Sequence, residues 1–261
     1  MKLGILMDPI AEITIEKDTS FALLLEAQQR GFEIYYMEPQ DVWLQDGISW
    51  GRMRLLNVED DPDDWFTFKK ELTQPLVDLD LFLMRKDPPF DMQYIYLTYL
   101  LEQAESQGLT VINKPASLRD ANEKLFTAWF PQCCPNTIVT RRIDLLKEFV
   151  ASEEQVVVKP LGAMGGESIF IVNDGEPNTN VILETMTRHE SELVMAQRYI
   201  AEISEGDKRI LMIHGEPVPY ALARIPQGDD FRGNIAAGGK TEGRELTDRD
   251  LWICEQVGPT L

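Results

Sequence analysis

The sequence predicts an α/β protein: a parallel α/β region followed by an α+β, largely antiparallel region, with the boundary near residue 120. Two observations carry this. Short apolar runs alternate with helical segments through the first half, the pattern of a parallel sheet with helices on both faces. From VVVKP onward, paired strands and hairpin turns replace that alternation.

KLGILM reads as a buried strand ended by Asp8-Pro9. DTSFALLLEAQQRG reads as a helix with caps at Asp18 to Ser20 and Gly31 at its end. FEIYYM and LDLFLM are further strands, the second ending at Arg85. Gln93 to Gln107 is helical, Gly108 stops it, and LTVIN follows as a strand. SLRDANEKLFTAWF is expected to be one helix capped by Ser117. VVVKP and SIFIV are strands joined by a glycine-rich loop, LVMAQRYI is another, and KRILMIHGEPVPYALARI is a hairpin turning at His214-Gly215.

Composition bounds the function. The 261 residues suffice for one large or two ordinary domains, and 44% hydrophobic with 26% charged residues is globular usage. A formal net charge of -19 argues against general nucleic-acid or anionic-membrane binding. It leaves room for small anions where cations are gathered locally. Cys133, Cys134 and Cys254 show no metal-ligand spacing and read as reduced thiols. The N-terminus does not read as a signal peptide, and no apolar run approaches the ~20 residues of a membrane span. The cytoplasm is the expected location. Trp43, Trp50 and Trp65 suit either an interface or the core.

Three stretches carry chemistry. In VVVKPLGAMGGESIFIV, Lys159 ends a strand and Gly162, Gly165 and Gly166 follow. Glycines let backbone N–H groups converge on an anion, and a lysine adds a point charge for phosphate. The lysine precedes the glycines, so this is not the P-loop pattern. The stretch is either a flap closing over phosphates or a flexible hairpin with an incidental lysine. Lys124 can reach the same phosphates or simply face water. In GDKRI, alternation puts Asp207 and Arg209 on one face and Lys208 on the other, and Arg224 ends the partner strand. Two arginines on adjacent strands suit one anionic centre; surface pairing with carboxylates is the alternative. In RKDPPFD, two prolines stiffen a loop holding Arg85, Lys86, Asp87 and Asp91 beyond the carboxyl end of a strand. Such a loop suits a substrate with both carboxylate and ammonium groups, or is a connection whose charges only face water. A fourth stretch, RIPQGDDFRGNIAAGGK, sets Arg224, Arg232 and Lys240 among four glycines in an otherwise acidic chain.

RKDPPFD, KPLGAMGG and RIPQG…RGN…AAGG occur in order, joined by NKPASLRDANEKLFTAWF, AQRYI, GDKRI and GEPVPYALARIPQG. On these stretches, from Met1 to Leu261, the sequence resembles the prokaryotic glutathione synthetase family of ATP-grasp ligases. The resemblance implies an N-terminal pre-ATP-grasp domain that binds substrate, residues 1–120, and an ATP-grasp nucleotide domain, residues 121–261. It implies that γ-glutamylcysteine, glycine and ATP give glutathione, ADP and phosphate with Mg²⁺, through an acyl phosphate. Lys124 and Lys159 would hold ATP phosphates under Gly162, Gly165 and Gly166. Gln197, Tyr199 and Ile200 would line the adenine site, with Asp207 near the nucleotide. Arg209, Arg224 and Arg232 would be catalytic. Arg85, Asp87, Arg224, Arg232, Gly238 and Gly239 would approach the peptide substrate.

The glycine-rich lid would exclude water from the acyl phosphate and bring Arg232 in on closure. The resemblance also implies a homo-oligomer, commonly a tetramer. In the family a further segment supplies the Mg²⁺ ligands, so the sequence is read as a piece of a longer chain, with a natural truncation as the alternative, and no metal ligand is assigned. Asp229, Asp230, Glu242 and Glu245 are acidic without ligand spacing. Another ATP-grasp carboxylate–amine ligase, or a nucleotide-binding subunit without turnover, remain the alternatives.

Overall fold

A computed structural model of the chain describes residues 1–163, 166–227 and 238–260. Its internal contacts divide it into two units, Met1–Asp120 and Ala121–Leu261.

The first unit is built on one seven-stranded sheet. Apolar β1 (Lys2–Met7) is followed by α1 (Thr19–Gln29), whose N-cap Asp18 accepts a hydrogen bond from the Phe21 N–H. Then come β2 (Glu33–Met37), β3 (Val42–Gln45), β4 (Ile48–Val58), β5 (Phe66–Pro75) and β6 (Leu81–Arg85). α2 (Met92–Ser106), β7 (Thr110–Ile112) and α3 (Pro115–Asp120) complete it. The order is β3-β4-β2-β1-β6-β7, with β5 on β4.

β2, β1, β6 and β7 run parallel, as the strand–helix alternation predicts. β3, β4 and β5 add an antiparallel extension, so the sheet is mixed. β1 alternates its side chains between two cores. Leu3, Ile5 and Met7 pack with Phe21 and Leu24 of α1, while Leu6 packs with Leu101 and Ala104 of α2. Helices therefore cover both faces, and the carboxyl ends of β1 and β6 are left at one edge. Trp43 and Trp50 stack as cross-strand partners on β3 and β4. Trp65 donates its indole N–H to the Ile10 carbonyl.

The expected helix over 117–130 is a correction. α3 stops at Asp120, and a short 3₁₀ segment follows at Leu125–Trp129. Asn122 is the reason. Its side-chain oxygen accepts from the Lys124 and Leu125 N–H groups at 3.1 and 2.9 Å, offering the backbone a turn in place of the helix. Lys124 thus sits on a turn, not on a helix face.

The second unit contains two antiparallel sheets. One is formed by β8 (Thr137–Thr140), β9 (Gln155–Pro160), β10 (Phe170–Asn173) and β11 (Val194–Arg198), ordered β10-β9-β11-β8. α4 (Ile143–Glu153) and α5 (Thr179–Met186) supply Leu146, Val150 and Leu183 to its core against Val156, Val158 and Val172. The other contains β12 (Asp207–Ile213), β13 (Glu216–Ile225) and β14 (Lys240–Glu245). His214 and Gly215, both with positive φ, turn the β12–β13 hairpin. α6 (Asp248–Val257) lies behind this sheet, where Asp250 pairs with Lys208. Among the described residues, no helix is long and apolar enough to cross a membrane.

Candidate active site

The glycine-rich loop leaves β9 after Lys159 and Pro160 and returns into antiparallel β10, the strand–loop–strand arrangement expected for it. Lys124 reaches the base of the loop, donating from Nζ to the Ala163 carbonyl at 2.5 Å and pairing with Glu123 at 2.6 Å. The Asn122 amide donates to the Leu161 carbonyl beside it. Lys159 is half-buried and has no carboxylate partner among the described residues. Removal from water, reinforced by the Lys124 ammonium, pushes its pKa down. Two mutually repelling ammonium groups at the base of this loop form a site that an anion would relieve. The Cys134 thiol lies close enough to feel Lys159, and burial pushes its pKa up.

Gly162 has open space where a side chain would project. Gly166 is buried with φ of 85°. Gly165 lies outside the described residues.

β11 leads from the first sheet towards the second. Gln197 donates its side-chain amide to the Thr137 hydroxyl at 2.9 Å. The Tyr199 N–H is bonded to the Gln155 carbonyl, and Ile200 is exposed. A 3₁₀ turn over Ala201–Glu205 and Gly206 then deliver the chain to Asp207.

In the β12–β13 register Asp207 lies opposite Arg224, and Arg209 opposite Leu222. Cross-strand partners point to the same face, so Asp207, Arg209 and Arg224 share one side of the sheet. Lys208 faces the other side, towards α6. Arg224 holds Asp207 through two bonds of 2.7 and 2.6 Å. Arg209 is exposed and has no ion pair among the described residues. This face thus presents one guanidinium already oriented by a carboxylate and one still uncommitted. Gly238 has φ of 90° with open space around it, and Gly239 follows before β14. Arg232 lies outside the described residues, as does the whole of 228–237 within the expected lid.

In the first unit, Arg85 ends β6 and Asp87 lies just beyond it, where a cleft of about 200 Å³ opens beside Asp8 and Lys17. Arg85 donates from Nε to the Ser20 hydroxyl of α1 at 2.9 Å. Asp8 receives Lys86 at 2.8 Å and the Asp87 N–H at 2.8 Å. Sequence reasoning missed Lys17, Ser20 and Asp8. Asp8 follows directly on β1, whose last residue Met7 is in register with Arg85 of β6; its place at the end of an apolar run was the available signal, and Lys17 and Ser20 carry none.

Among the described residues no group of three or more His, Cys, Asp or Glu gathers to hold a metal ion.

A mixed α/β unit followed by an antiparallel unit with a lysine-flanked glycine loop and an arginine-bearing sheet defines the class: the fold of ATP-grasp ligases. Two solved structures share it, at a sequence identity that speaks to the fold alone. The D-cycloserine synthetase DcsG matches with a TM-score of 0.61 and 13% identity, over 99% of this chain and 80% of that one. A Chryseobacterium gregarium RiPP-associated ATP-grasp ligase matches with a TM-score of 0.62 and 16% identity, over 98% and 80%.

The chain belongs to the prokaryotic glutathione synthetase family. The family's N-terminal domain matches residues 1–119 and its ATP-grasp domain residues 123–261. The glutathione synthetase of Coxiella burnetii is 62% identical over all 261 residues, which span 81% of that relative. Those of Pseudomonas aeruginosa and Escherichia coli K12 are each 56% identical over the whole chain, which spans 82% and 83% of them.

Proposed function

We propose that the chain joins γ-glutamylcysteine to glycine at the expense of ATP, giving glutathione, ADP and phosphate. The observation that carries this reading is the 62% identity, over all 261 residues, to a curated glutathione synthetase. In the sequence the cysteinyl carboxylate attacks the γ-phosphorus of ATP, forming an acyl phosphate and releasing ADP. The glycine amine then adds to that carbonyl. The tetrahedral species collapses, the C–O bond to phosphate breaks, and the amine proton is lost.

Catalysis of this kind is mostly positioning and charge stabilisation. Lys124 and Lys159 hold phosphate oxygens, with Gly162, Gly165 and Gly166 over them. The proximity of the two ammonium groups supports this assignment. Gln197, Tyr199 and Ile200 line the base, and Asp207 lies near the nucleotide. Arg209 and Arg224 stabilise the transferring phosphoryl group and the tetrahedral species, and their common face supports it. Arg232, Gly238 and Gly239 belong to the lid that keeps water from the acyl phosphate. Arg85 and Asp87 bind the peptide donor.

Residues 1–120 form the substrate domain, and residues 121–261 the nucleotide domain. Mg²⁺ is the expected metal, the cytoplasm the expected location, and a homo-oligomer, commonly a tetramer, the expected assembly. The test is ADP release by the full-length gene product. It should require γ-glutamylcysteine and glycine together, and an ADP release rate indifferent to glycine would refute the reading.

A further inference from the structure

The cleft at the carboxyl ends of β1 and β6 contains more charge than its own structure uses. Asp18 is occupied as the α1 cap, and Asp8 is occupied by Lys86 and the Asp87 N–H. The Arg85 fork is bonded through Nε to Ser20, and its two terminal nitrogens have no partner among the described residues. The Lys17 ammonium and the Asp87 carboxylate have no side-chain partner there either. All three line the same cleft. Two uncommitted cations and one uncommitted carboxylate, set around a polar cavity, complement a group with one carboxylate and one ammonium. The carboxyl edge of parallel strands is also where open α/β sheets take ligands.

A γ-glutamyl compound offers that group: the free α-amino acid end, remote from the carboxylate to be activated. We propose that Arg85 and Lys17 bind the donor's α-carboxylate and Asp87 its α-ammonium, with Ser20 and Asp8 as positioning residues that aim Arg85 and the Asp87 loop. This rests on the donor being γ-glutamylcysteine, as read above. The arrangement explains why the cleft mixes signs in a chain of net charge -19, where an anion site alone would need only cations.

Steady-state kinetics with three donors test it. These are γ-glutamylcysteine, glutarylcysteine, which lacks the α-amino group, and 4-aminobutanoylcysteine, which lacks the α-carboxylate. Wild-type turnover of the first with glycine controls for the ligase reading; its absence removes that reading, and this proposal with it. Lys17→Met should raise KM for γ-glutamylcysteine about tenfold or more, the scale of a hydrogen bond to a charged group. Its KM for ATP and glycine should hold, and with 4-aminobutanoylcysteine it should match the wild type. Asp87→Asn should behave likewise, its penalty vanishing with glutarylcysteine. Ser20→Ala should raise KM for the parent donor and leave kcat in place. Lys17 and Asp87 are exposed, so these two variants should fold. Wild-type KM values for γ-glutamylcysteine in both, or equal penalties with every donor, would overturn the assignment while leaving the ligase reading standing.

Discussion

Arg224 grips Asp207 across directly opposed positions of β12 and β13, with Nε to Oδ1 at 2.7 Å and Nη2 to Oδ2 at 2.6 Å. The pair fixes the guanidinium plane before any ligand arrives, and pre-set charge is what a phosphoryl-transfer site needs. Arg224→Ala should lower kcat on the order of 10²-fold or more with little change in KM for ATP. An effect confined to KM for ATP would contradict the role. Asp207 keeps 34% of its side chain exposed, so the accompanying stability loss should stay at about 1 kcal/mol or less. Thermal unfolding alongside the kinetics separates the two effects.

Lys159 should be a stability liability that serves binding. Its folded pKa is depressed below the ordinary 10.5 by burial and by Lys124. The penalty is therefore fully present at pH below the folded pKa and is relieved as pH rises from there towards 10.5. Lys159→Met should raise Tm at pH 7, with the difference shrinking in alkaline buffer, while ATP affinity falls. Phosphate should also restore the Lys159 charge. Calorimetric ATP titrations at alkaline pH, in buffers of different ionisation enthalpy, should show proton uptake that Lys159→Met abolishes.

Gly206 should tolerate no side chain. Its φ is 103°, and a Cβ there would lie 2.8 Å from the Arg224 carbonyl oxygen. Gly206→Ala should cost about 1–3 kcal/mol through backbone strain and crowding. Because the crowded atom belongs to Arg224, kcat should fall in the same variant at temperatures where it remains folded.

α6 should be held by its cap. Thr247 accepts from the Asp250 N–H, Asp250 accepts in return from the Thr247 N–H, and Lys208 pairs with Asp250. Thr247→Ala should cost about 1 kcal/mol in denaturant titration. Burial pushes the Asp250 carboxyl up, but the Lys208 and Thr247 hydrogen bonds outweigh it, leaving the pKa below 3.8. That stability is present above 3.8 and lost as pH falls through the folded pKa. Lys208→Met should flatten the acid limb of the stability profile.

The legible parts of the molecule were those where local pattern and tertiary demand agree. β1, β2 and β6 are continuous apolar runs because they are buried on both faces, and α1 announces its start with Asp18. Strand alternation alone put Asp207 and Arg209 on one face; the β12–β13 register adds Arg224 to it. β4 and β5 were not read because charged residues interrupt their pattern: Arg52 and Arg54 on β4 pair with Asp41 and Glu38 upstream. The break after α3 was hidden because Asn122 acts through its own side chain on the following backbone. Lys17 matters only through the cleft that folding places beside it, which no motif marks.

Activation of the donor carboxylate as an acyl phosphate sends one carboxylate oxygen out with the phosphate. γ-Glutamylcysteine carrying ¹⁸O in its cysteinyl carboxylate tests this most directly, through the mass of the phosphate released during turnover with glycine. One ¹⁸O atom per phosphate is the predicted result; phosphate without the label would contradict it.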